Sequence, residues 1–219
     1  MLENQSIVKN ENSEQEERII FHHLFRMSEE EKEKLRTRIL GGNGIVRIMI
    51  HPYYIQHSTE PYITKDRRDQ VVTTVFKRML GVKSDVPIFL FEVNEEISLT
   101  KGRISSILKK AGSEIYIVPT YDGAPTPYVS TDSITVESKW HVFIELAKNL
   151  GIKKFIVGGM YLFLDEIKGS KEDTQKLNGC VGDAVNVLSA DFDIQVSSIA
   201  HPQSRKDIIY PELKDIKNL

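Results

Sequence analysis

Five short runs that are almost wholly apolar govern what this chain can become: GIVRIMI (44–50), VPIFLFEV (86–93), EIYIVPT (114–120), KKFIVGG (153–159) and FDIQVSSI (192–199). A strand with one wet face alternates apolar and polar residues, whereas a run without that alternation is covered on both faces. Between the runs lie segments of helical patterning: DQVVTTVFKRML (69–80), SLTKGRISSILKKAG (98–112), KWHVFIELAKNLG (139–151) and GCVGDAVNVLSA (179–190). Apolar strands separated by amphipathic helices predict a parallel sheet with helices on both sides. The expected class is α/β, a three-layer Rossmann-like sandwich on a mainly parallel sheet of at least five strands, forming one domain over 44–219.

Ahead of that domain, residues 1–17 are rich in Asn, Glu, Gln and Ser and predict a frayed tail. SEEEKEKLRTRIL then predicts a helix from Ser28, with Ser28 as cap, Glu31 at the capping-box position and an acidic first turn, stopped by Gly41 and Gly42. Its charge run reads as a solvated face. Residues 1–43 are thus expected as a flexible tail and helical arm, one able to couple subunits of a homo-oligomer. Composition narrows the partners: 29 basic residues against 31 acidic leave no electrostatic footprint for nucleic acid or an anionic membrane. The beginning of the chain lacks a signal pattern, and no apolar segment approaches the roughly 20 residues of a membrane helix. The only cysteine, Cys180, suits a reducing compartment, so a soluble cytoplasmic protein is expected.

In open parallel sheets ligands bind beyond the carboxyl ends of the strands, where loops and helix N-termini converge. Here those ends carry His51, Pro52, Tyr53 and Tyr54; Glu92, Asn94, Glu95 and Glu96; Thr120, Tyr121, Asp122 and Gly123; Gly158, Gly159 and Tyr161; and His201 with Pro202. His51 fits a general base. With His57, Asp122 and His201 it also fits a zinc, iron or manganese site, although no His-x-x-x-His pair is present; each histidine fits a structural role equally. Tyr53, Tyr54, Tyr121 and Tyr161 can stack on a planar ligand or merely seal loops. Together with Glu92, Gly158, Gly159 and His201 they form the expected ligand-binding set.

VPTYDGAPTPYVSTDS (118–133) reads as a loop that acts as a lid or binding wall. Neither GxGxxG nor GxxxxGK[ST] occurs at a strand-to-helix junction, so a nucleotide cofactor is not expected, nor is any other. The glycines of IVGGMY permit close backbone approach, to a ligand or to a helix. Cys180 opens the last helix, where a helix N-terminus favours the thiolate, although a lone cysteine more commonly packs. His22 and His23 are weaker candidates, and Trp140 and His141 are expected to pack.

LAKNLGIKKFIVGGMYL and GCVGDAVNVLSADFDIQVSSIAHPQS resemble the isochorismatase-like (nicotinamidase-like) cysteine hydrolase family in their helix, Gly-ended strand, Cys-Val helix and final strand. With GIVRIMI and VPIFLFEV as the first two strands, the similarity covers about residues 44–204. The resemblance implies a cysteine nucleophile at Cys180, an aspartate after the first strand, whose place His51 takes, and a lysine after the third strand. No lysine lies between Lys110 and Lys139, and an insertion at 161–179 separates Gly159 from Cys180. What the resemblance implies is hydrolysis of a small amide or ester in the strand-end crevice, with Cys180, His51 and Asp122 as the candidate catalytic set. Two other readings stand beside it: a non-catalytic module of the same fold that binds a small ligand or a protein, and a metal-dependent hydrolase centred on His51, Asp122 and His201.

Overall fold

In the computed structural model, residues 19–52, 86–107, 114–120, 125–128, 140–159, 163–164, 180–196 and 202–203 are described. Their order is β1 (Ile20–His23), α1 (Glu29–Gly41), β2 (Ile45–Ile50), β3 (Ile88–Val93), α2 (Ile97–Ile107), β4 (Glu114–Thr120), α3 (Trp140–Asn149), β5 (Lys154–Gly159), β6 (Phe163–Leu164), α4 (Cys180–Leu188), β7 (Asp193–Val196) and β8 (Pro202–Gln203). Six strands form one sheet in the order β1-β4-β3-β2-β5-β7, and every pairing in it is parallel. β6 and β8 form a separate parallel pair. The expected helix at 69–80 and the ends of the expected helix 98–112 and strand 192–199 lie outside the described residues.

The register explains the apolar runs. Parallel partners project to the same side, so Ile48, Phe89 and Tyr116 share one face, as do Phe91, Val118 and Ile50, while Met49, Leu90 and Ile117 share the other. All of these are buried. α3 covers the first face with Phe143, whose ring centroid lies 5.1 Å from that of Phe91, 6.2 Å from Phe89 and 6.0 Å from Phe155. Burying such a ring contributes ~1.5–3 kcal/mol. Trp140 stacks on Phe91 in the same layer, but His141 does not pack: it is exposed. One residue along a helix is a rotation of about 100°, which carries His141 off the stripe of Trp140, Phe143 and Ala147. α2 lies over the opposite face, where Thr100 reaches Glu92. Helices thus cover both faces of the sheet, the three-layer Rossmann-like arrangement.

The segment ahead of residue 44 takes part in this architecture. The Ser28 capping box forms, with Glu31 N donating to Ser28 Oγ at 3.2 Å and Ser28 N donating to Glu31 Oε2 at 2.7 Å. Lys32–Glu29 and Lys34–Glu30 pairs line the wet face of α1, whereas Leu35 and Ile39 are buried. β1 adds an edge strand beside β4, with Ile20 opposite Glu114 and His23 opposite Ile117. Glu114 Oε2 gathers both elements, accepting from Arg38 Nη1 at 2.8 Å and Tyr116 Oη at 2.7 Å, while His22 stacks on Tyr116 at 5.1 Å. Asn43 and Gly44, at φ of 61° and 75°, turn the chain from α1 into β2. No described helix is long and apolar enough to cross a membrane.

Candidate functional site at the carboxyl edge

The strand order fixes one special place. From β2 the chain steps to β3 and then β4 in one direction, and β5 then falls on the other side of β2. The direction of winding therefore reverses between β2 and β5, and the crevice at such a switch point is where open α/β sheets hold ligands. β2 ends at Ile50, paired with Gly159 at the end of β5. The two stretches IMIHP and IVGG meet here.

Gly159 is required by a close approach. A Cβ on it would collide with Ile50 O and would lie 2.8 Å from Val181 Cγ2 and 3.1 Å from Ile50 Cβ. The first turn of α4 is therefore seated directly on the ends of β2 and β5. Val181 follows Cys180, and His51 follows Ile50, so the sulfur-bearing residue and the histidine each flank this contact by one position. Cys180 is buried, at 7% exposure. Asp183, also in this first turn, has its carboxyl pushed up by burial.

His51 continues the ladder, donating its N–H to Phe91 O at 2.9 Å, but at φ 42° it enters the left-handed region that a non-glycine residue rarely adopts. Its imidazole is fully buried and shares a 2.8 Å hydrogen bond between Nε2 and Thr120 Oγ1. β3 lies between β2 and β4, so this bond spans the end of the intervening strand. Burial holds the imidazole down to about 4, and it is neutral near pH 7.

Glu92, the next polar residue at this edge, is 1% exposed. Thr100 Oγ1 donates to its Oε2 at 2.7 Å and Val93 N to its Oε1 at 3.0 Å. Burial pushes the carboxyl up to about 7; the two donors pull the other way, and Glu96 nearby adds to the rise. His51, Glu92, Thr100 and Thr120 are the buried polar and charged side chains among the described residues, and all four stand at the carboxyl edge or in the first turn of α2 above it. Beyond β4, residues 125–128 fold back on the same edge. Pro127 bridges Thr120 in antiparallel fashion and Tyr128 N donates to Pro119 O at 2.7 Å, so the proline-rich loop returns as a wall over the end of β4.

Of the residues singled out from the sequence, His51, Glu92, Gly158, Gly159 and Cys180 are described and lie at this edge, Cys180 through the seating of its helix. Asp122, Tyr53, Tyr54, Tyr121, Tyr161 and His201 lie outside the described residues, as does His57. His22 and His23 pair with Tyr116 and Ile117, short of the edge. Among the described residues no group of His, Cys, Asp and Glu is placed to hold a metal ion. The partners of His51 and Glu92, Thr120 and Thr100, carry no signal of their own in the sequence, since threonine is common at strand ends and in first helical turns.

No family model, curated protein or solved structure matches the chain. The arrangement at the carboxyl edge is therefore the ground on which its function is read.

Proposed function

We propose that this chain binds a small molecule at the carboxyl edge of its sheet, in the crevice at the β2–β5 switch point. The observation that carries the reading is the confinement of buried polar side chains to that edge. Burying a polar group costs stability even when it is hydrogen-bonded, and an interior that is otherwise apolar concentrates such groups where they serve a site. The ligand would meet backbone at Gly158 and Gly159 and the N-terminal turn of α4. Chemical-shift mapping with small amides, esters and carboxylic acids tests this: the expected perturbations fall on His51, Gly158, Gly159 and residues 180–182. Perturbations confined to the amino-terminal edge of the sheet would overturn it.

A second reading, hydrolysis of a small amide or ester, is favoured by one observation, the seating of α4 that brings the Cys180 end of the helix over the ends of β2 and β5. In it the Cys180 thiolate attacks the carbonyl, the amine or alcohol departs with a proton, and water hydrolyses the thioester. The full burial of His51 and its lowered basicity speak against it as the base. Turnover of such a substrate that is lost in Cys180→Ser supports hydrolysis; equal turnover in that variant removes it. A cytoplasmic setting belongs to the same proposal and rests on the single cysteine.

A further inference from the structure

We propose that Glu92 is a proton-operated tie that holds the first turn of α2 to the end of β3 and releases that turn when its carboxyl ionises. The geometry is a closed ring. One carboxyl oxygen takes the N–H of Val93, the last residue of β3; the other takes the hydroxyl of Thr100, in the first turn of α2; and the short 3-10 turn Asn94–Glu96 bridges the two. Both Glu92 and Thr100 are buried, so the ring closes out of water, where a neutral acid is tolerated and a carboxylate is not.

The surroundings supply no cation to hold the charged form. Among the described residues, the turn presents Glu96, which repels it; β2 presents His51, neutral above about pH 5; β4 presents Pro119 and Thr120; and α2 presents Thr100, with Lys101 lying over the Phe21 ring at 5.5 Å. A carboxylate formed in this ring gains hydration by opening it. The cheapest opening is loss of the α2 first turn, because β3 is held by ladders on both sides. This device operates whether or not the edge binds a ligand.

Hydrogen exchange of the full chain, corrected for intrinsic rates, reads it at the amides of residues 101–104, whose helical hydrogen bonds close that turn. With the closed-state carboxyl at about 7 and an ordinary one near 4.5 when open, the opening constant rises roughly fiftyfold between pH 5 and pH 7.5. In Glu92→Gln that rise is absent, and in Thr100→Val opening is greater at both pH values. Equal pH dependence in the unmodified chain and Glu92→Gln, or no effect of Thr100→Val, would overturn the proposal. The carbon-13 titration of Glu92 in the unmodified chain decides the matter even where a variant fails to fold: a midpoint in the usual carboxylate range refutes it.

Discussion

Replacing Gly159 with alanine tests the seating of α4 on the sheet. The added Cβ would collide with Ile50 O and press on Val181 Cγ2 at 2.8 Å and Ile50 Cβ at 3.1 Å. Carbon atoms prefer about 3.5–4 Å, so relief requires α4 to rise from the sheet by somewhat under 1 Å. Ile50 O belongs to backbone between two paired strands and has little freedom to retreat. Lifting the helix loosens the buried contacts of Val181, Ala184, Val185 and Leu188 together. Overpacking of this sort costs about 1–3 kcal/mol, and we expect the upper end, ~3 kcal/mol, because a whole helix face is disturbed. For a chain of this size that corresponds to a Tm lowered by roughly 6–12 °C. Gly102→Ala is the matched control: a Cβ there meets nothing within 4 Å, and alanine in an exposed helix should stabilise by ~0.5–1 kcal/mol. Thermal unfolding of the three proteins, with the rate of Cys180 alkylation as a second readout, decides the matter. A Tm for Gly159→Ala within 2 °C of the parent, with unchanged alkylation, would refute the reasoning that this glycine seats the helix.

Burial depresses the His51 imidazole to about 4 from 6.5, so the unfolded chain takes up the proton first as pH falls. The associated stability is present above pH 6.5 and is lost toward pH 4, about 3 kcal/mol in all. Urea unfolding at several pH values should show that loss in the parent and not in His51→Asn. The difference between the two isolates His51 from Glu92, whose raised carboxyl titrates with the opposite sign, and parallel profiles would refute the assignment. Phe143→Ala removes a buried ring packed on Phe89, Phe91 and Phe155 and should cost ~3–5 kcal/mol by denaturant unfolding. Ser28→Ala breaks the capping box and should cost about 1 kcal/mol, seen as a lower urea midpoint.

The strand-forming runs were legible because burial on both faces removes polar residues from a strand: the reading 114–120 coincides with β4, and 44–50, 86–93 and 153–159 differ from β2, β3 and β5 by one or two residues at their first ends. β1 was not legible. Its four residues, Ile20–His23, include two histidines and pair on one side only, so its existence depends on β4 and on the contacts of His22 and Arg38 with Tyr116 and Glu114. At the site, His51 and Glu92 were found because they follow apolar runs. Their partners were not, since the His51–Thr120 bond depends on a strand order that puts β3 between β2 and β4. Pairing across three strands is a property of topology, to which local pattern is blind.

The place of β1 also has a consequence for how the chain is made. β1 precedes every other strand, but its neighbour in the sheet, β4, leaves the ribosome on the order of a hundred residues later, a delay of roughly 5–20 s at ordinary synthesis rates. During that interval Ile20 and Phe21 have no strand to join, and β2 and β3 can pair before them. The first strand made would then be the last of β1 to β4 to dock, which makes the interval before docking the nascent chain's period of greatest exposure to holding chaperones and to edge pairing with another copy.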